Sequence, residues 1–229
     1  MENYNNKDTS DPTWQQLMSF LTTDKTDGND YSLFSFPCGA FAEEVHNNAE
    51  ALGIRAAWVA VDFQDASERH ALNAFHTIDR GIVFVDCTSS YRSDIVYPMI
   101  SDPATGESKE YKPERLPTYD KIAYVVIGKE YGLITLDKAE SPSYDFYEDY
   151  AQEWHNYERR VDEYNKRANE YITALGGRTV IYNYSEYRKL KRMHDELEKT
   201  RQELELQRGI LGDYRWQPLG DISHIEIYW

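Results

Sequence analysis

Cys38 stands between Pro37 and Gly39, at the start of a run in which Phe41, Val45, Ala49 and Leu52 recur at helical spacing. A thiol at the mouth of a helix meets free N–H groups and the positive end of the helix dipole, which favour the thiolate, the nucleophilic form. Gly39 leaves room beside the sulfur for a substrate carbonyl, and the same N–H groups suit a developing oxyanion. Taken alone, such a cysteine reads better as a small buried apolar residue, so its partners decide. His70 opens a strand-like run and Asp86 closes the next one, 16 positions later, with the turn signal Asp79-Arg80-Gly81 between them. A hairpin brings the start of its first strand beside the end of its second. The pattern therefore supplies a nucleophile (Cys38), a base (His70) and a residue that orients the base (Asp86).

The residues around these three resemble a known family. Phe36-Pro37-Cys38-Gly39-Ala40-Phe41-Ala42, followed by Ala51-Leu52-Gly53-Ile54-Arg55-Ala56, is similar to the helix-to-strand core of the transglutaminase-like superfamily. His70-Ala71 resembles that family's His-Ala step, and Val85-Asp86-Cys87-Thr88 resembles its Leu-Asp-Pro-Thr ending. Cys87 stands where proline is usual, and Ala56-Ala57 follows Arg55 where the order Pro-Ala-Arg is common. The likeness covers Trp14 to Thr88, about a third of the chain. It implies a papain-like α+β fold with Cys38, His70 and Asp86 as the triad. The implied chemistry is acyl transfer through a thioester, with hydrolysis of a peptide or protein amide expected ahead of glutamine–amine cross-linking.

Other residues are candidates for supporting roles. Gln15, Gln16 and Ser35 are candidate side-chain oxyanion donors, beside the Gly39 position itself. His76 lies on the same strand face as His70, as a candidate second base or substrate contact, or, the better reading, as a polar residue near the hairpin end paired with Asp79. A metal set of His70, His76 and Asp79 or Asp86 lacks zinc-motif spacing and leaves Cys38 unexplained, so no metal and no cofactor are expected. His46 is too far along its helix to act as base. Cys87 follows Asp86 directly, so it points to the opposite face and reads as a free buried thiol.

The elements that must carry these residues can be placed by periodicity. A first helix begins near Asp11 or Thr13, with Trp14, Leu17, Met18, Phe20 and Leu21 apolar. The Cys38 helix stops at Gly53, and Ile54 to Phe63 is a strand. Residues 88–117 read as a long loop, a cover for one end of the domain. Hairpins follow around Asp79-Arg80-Gly81 and Gly128-Lys129-Glu130, and Ile222 to Trp229 alternates like a strand returning to the sheet. Between them, Tyr144 to Leu175 and Ser185 to Leu211 carry near-heptad apolar seams, with Leu190, Met193, Leu197, Leu204 and Leu211 in the second. Two such helices of about 30 residues, joined by Gly176 to Tyr184, should pair as an antiparallel coiled-coil hairpin. The expected fold is α+β: N-terminal helices on an antiparallel sheet over 11–140, a helical hairpin inserted at 141–215, and a last strand over 216–229.

Composition bounds the partners. The 229 residues carry a net charge of −15, which repels phosphate backbones and argues against nucleic acid. No stretch approaches the ~18 consecutive apolar residues of a membrane span, and mean hydropathy is −0.74. Met1 to Asp11 is polar and shows no signal-peptide core, so the reading is a soluble protein, with an exported or surface origin expected from the resemblance if a leader is removed. The expected partner is a peptide or protein substrate. The competing reading is a binding or scaffold protein that docks a partner, or a second copy, through the hairpin, where Tyr182 and Tyr184 lie near the tip.

Overall fold

The structure is a computed structural model describing residues 5–64, 69–89, 95–103, 105, 107–110 and 118–229. Two compact units emerge: residues 1–95, 115–148 and 216–229 form the first, and 96–114 with 149–215 the second.

In the first unit α1 (Trp14–Thr23) starts at Thr13, whose side chain accepts from the Gln16 N–H while the Gln16 side chain accepts from the Thr13 N–H. This reciprocal cap satisfies two otherwise orphaned donors. α2 (Cys38–Ala51) ends where Gly53 adopts φ 77°, a left-handed conformation that only glycine takes without strain. The strands are β1 (Ala57–Phe63), β2 (Arg69–Thr77), β3 (Gly81–Asp86) and β4 (Ile95–Val96), then β5 (Met99–Ser101), β6 (Ser108–Glu110), β7 (Lys121–Tyr124) and β8 (Gly132–Thr135). After the helices α3 (Tyr144–Leu175) and α4 (Tyr184–Leu211) come β9 (Arg215–Trp216) and β10 (Ile222–Tyr228).

Six strands make one antiparallel sheet in the order β10-β1-β2-β3-β7-β8. Its two outer strands meet at one end: Glu130 bridges Asp221, and the Tyr131 N–H donates to the Gly220 carbonyl at 2.8 Å. The sheet therefore curls toward a partial barrel. α1 and α2 cover its outer face, where Phe20 meets Phe75 and the Asn73 amide donates to the Ala42 carbonyl at 2.8 Å. Inside the curl Val59, Val61, Leu72 and Ala74 are fully buried, each large side chain contributing about 2 kcal/mol by leaving water.

In the second unit the two long helices form a hairpin. Trp154, Tyr157, Val161, Tyr164 and Ala168 of α3 pack with Leu197, Leu204 and Leu211 of α4. The segment read as a featureless loop over 88–117 differs from that expectation. β5 and β6 pair as a hairpin, and Ile100 packs on the helical core. Asn165 holds them there: its Oδ1 accepts from the Ser101 N–H at 2.8 Å and its Nδ2 donates to the Met99 carbonyl at 3.1 Å. The rest of that segment (90–94, 104, 106 and 111–117) lies outside the described residues.

The hairpin core is unusual in its buried polar atoms. Among the described residues, the hydroxyls of Tyr157 and Tyr164 and the indole N–H of Trp154 meet no hydrogen-bond partner. An unsatisfied buried hydroxyl costs about 1–3 kcal/mol. Tyr157→Phe is accordingly expected to raise stability by about 1 kcal/mol, read as a later midpoint in urea unfolding; an earlier midpoint would mean the hydroxyl has a partner.

Candidate active site

Cys38 is placed by the loop before it and the helix after it. Ser32 and Phe36 exchange backbone hydrogen bonds at 3.0 and 2.9 Å, and the Phe36 ring packs edge-on against Phe41 of α2. Pro37 then precedes the helix in an extended conformation, and Cys38 is its first residue. α2 has no side-chain cap, so its leading N–H groups remain directed at the space around the sulfur. Cys38 and Gly39 are both half-buried, and a Cβ built at Gly39 would meet nothing within 4 Å.

The sheet supplies the partners at a fork. β2 and β3 pair from Thr77↔Gly81 up to Asn73↔Val85, and beyond that pair the ladder between them ends. In the gap the Ala71 N–H lies near Cys38 and helps to lower its thiol. Alternation along the strands puts His70 on the face of Ala74, and Asp86 on the face of its partner Phe84, so both point to the same side of the sheet. There His70 Nε2 lies 2.8 Å from Asp86 Oδ2. The other ring nitrogen is left for Cys38, and His70 is the neighbour that does most to lower the thiol.

Three further groups hold Asp86. The Tyr131 hydroxyl donates to Oδ2 at 3.0 Å, and the Thr88 N–H donates to Oδ1 at 2.9 Å. Lys121, paired with Asp86 across the β3–β7 ladder and 2 % exposed, supplies a buried positive charge. Its ammonium donates to the Thr88 carbonyl at 2.6 Å and sits 4.4 Å from the Trp216 ring centre. The Tyr131 ring also stands edge-on to His70, with centroids 5.6 Å apart.

These contacts set the charges. Burial alone would raise the Asp86 carboxyl, but Lys121 and His70 outweigh it and hold the group well below the usual carboxylate range. Burial alone would lower His70; the Asp86 charge and hydrogen bond, with a smaller part from Cys38, push it up to about 10 instead. Burial would raise the Cys38 thiol, yet the hydrogen bond and charge of His70, with the Ala71 N–H, pull it below its ordinary value. The surroundings thus favour the thiolate–imidazolium form of the pair. Cys87 is the opposite case. It is 3 % exposed, and burial together with the charges of Asp120, Asp86 and Asp24 drives its thiol well above the normal range. Both cysteines are free.

The remaining candidates fall elsewhere. α1 begins against the β2–β3 turn, where the Trp14 N–H donates to Asp79 at 2.8 Å. Gln15 and Gln16 therefore sit at the end of the hairpin remote from His70, and Gln16 is occupied by its cap with Thr13, so neither is placed as an oxyanion donor. His76 is exposed at that same end, 2.7 Å from Asp11 rather than paired with Asp79. With His70 and His76 on separate partners they form no common donor set, and among the described residues no group of three metal-binding side chains occurs. Ser35 is exposed in the Ser32–Phe36 turn, where its N–H donates to the Ser32 hydroxyl. His46 is buried against Asn5. Sequence reasoning missed Tyr131 and Lys121. The one available signal was a lysine heading the otherwise apolar run Lys121-Ile122-Ala123-Tyr124, an unfavourable place for a charge without a buried partner. No helix is long and apolar enough to cross a membrane among the described residues. Compared with known proteins, no family model, no curated protein and no solved structure matches this chain.

Proposed function

We propose that this chain is a cysteine-dependent acyl-transfer enzyme of the transglutaminase-like kind, with a papain-like core, hydrolysing a peptide or protein amide. The observation that carries the reading is the His70–Asp86 hydrogen bond beside Cys38, whose thiol His70 lowers, with that thiol at an uncapped helix start and the carboxylate held by Tyr131, Thr88 and the Lys121 charge. In the first half-reaction the Cys38 thiolate attacks the amide carbon, and the oxyanion faces the leading N–H groups of α2. His70 passes its proton to the departing amine as the carbon–nitrogen bond breaks, leaving a thioester on Cys38 and a neutral imidazole. Water then attacks the thioester, giving a proton to His70, and the carboxylic acid leaves as the thiolate returns. Asp86 stabilises the imidazolium in both halves and fixes which ring nitrogen faces the sulfur.

An activated ester tests this without knowledge of the natural substrate. With p-nitrophenyl acetate the chain should release one equivalent of nitrophenolate in a burst, with the acetyl group found on the Cys38 peptide by mass spectrometry. Cys38→Ala should remove both. Acetylation spread over other residues, or no burst, would favour the scaffold reading, in which the fold serves binding alone.

A further inference from the structure

The turn joining α3 and α4 carries charge of the wrong sign for this protein. From Gly176 to Arg192 there are five cationic side chains and one carboxylate, a local excess of four, which leaves the rest of the chain at −19. Arg178 is paired with Glu186, and Lys191 with Asp195. Arg188, Lys189 and Arg192 are exposed and have no carboxylate partner among the described residues, Arg188 lying only against the Tyr184 ring. The apolar residues of the same turn are bare: Tyr182 is 95 % exposed, Tyr184 72 % and Val180 58 %. Tyrosines and branched aliphatics at an exposed turn find no packing of their own, so the exposure is unexplained by the hairpin's fold.

We infer that this turn is a docking tip for an anionic lipid surface, with Val180, Tyr182 and Tyr184 entering the headgroup layer and Arg188, Lys189 and Arg192 facing the lipid charges. Tyrosine suits that layer because one end of its ring is apolar and the other wet. Each cation near such a surface adds about 1 kcal/mol of attraction. The acidity elsewhere does not cancel it. The first carboxylates of α4 past the tip, Asp195 and Glu196, are already paired with Lys191 and Arg167. The next, Glu198, is paired with Arg201, and Glu170 of α3, exposed six positions before Gly176, offsets one of the four excess charges and leaves three. A nucleic acid fits less well, since Val180 and Ile181 have no counterpart on a phosphate backbone and a long polyanion would run on past the tip into the −19 remainder.

The test is co-sedimentation of the full chain with vesicles of phosphatidylcholine alone and of equal parts phosphatidylcholine and phosphatidylserine. Binding is expected only to the second, fading at high salt. Combined Arg188→Gln, Lys189→Gln and Arg192→Gln should weaken it on the order of 100-fold, about fivefold per charge, with the helical signal in circular dichroism unchanged. Tyr182→Ser should weaken it with the salt dependence retained. The proposal is overturned by equal binding to both vesicles, by binding to neither, by a dimer in solution that the same substitutions abolish, or by preferential capture of RNA. None of these outcomes depends on whether Cys38 is a nucleophile.

Discussion

Replacing Asp86 with Asn is expected to lower turnover on the order of 10³–10⁴-fold, the scale set by removing the orienting carboxylate from a comparable triad. The carboxylate does two things. By accepting from His70 Nε2 at 2.8 Å it turns the other nitrogen to Cys38, and by its charge it holds the imidazole protonated up to about pH 10. An amide can present N–H in place of O⁻, which invites the wrong tautomer and removes the charge. The Cys38 thiol then loses its imidazolium and climbs back toward its ordinary value, so the surviving activity should need a higher pH. Burst rates with the activated ester, corrected for the folded fraction, measure the loss. A deficit below tenfold would show that Asp86 serves stability alone.

The second large effect belongs to Lys121. Lys121→Met removes the buried cation opposite Asp86 and the donor to the Thr88 carbonyl, and replaces them with an apolar chain of similar length. Removing a nearby buried cation leaves the Asp86 charge desolvated with less compensation, so the variant is expected to be less stable by about 1 kcal/mol or more. The pH dependence follows from linkage. Asp86 is more acidic folded than unfolded, so its ionisation stabilises the native chain above the ordinary 3.8 and that stability is lost as pH falls. Without Lys121 the depression shrinks, and the variant should unfold at a higher pH in an acid titration, besides yielding to less urea at neutral pH. His70 acts with the opposite sign: raised from 6.5 to about 10, its contribution is full below about 6.5 and gone as pH passes about 10. Wild-type stability in Lys121→Met would mean that the ammonium is effectively solvated.

What the sequence made legible was whatever local spacing determines. Cys38 at a helix start, the 16-residue His70–Asp86 hairpin and the leucines at 190, 197, 204 and 211 follow from period and turn chemistry, and the structure places them so. What it hid depends on distant partners. β10 pairs with β1, and the sheet closes through Glu130 and Asp221, contacts between segments some ninety residues or more apart. Tyr131 donates to Asp86 from 45 positions away. Asn165 completes the β5–β6 hairpin from a helix 64 positions on, so residues 95–101 looked like loop. Gln15 and Gln16 drew attention by chemical type, but the cap that starts α1 and the contact of Trp14 with Asp79 decide where they lie.

The central claim is that Cys38 is an activated thiolate held by His70, and the pH dependence of its alkylation tests it most directly. With iodoacetamide, Cys38 should react at neutral pH far faster than Cys87, its rate reaching a plateau below the range of an ordinary thiol, and His70→Ala should abolish that advantage. Slow, equal labelling of the two cysteines in the folded chain would contradict it.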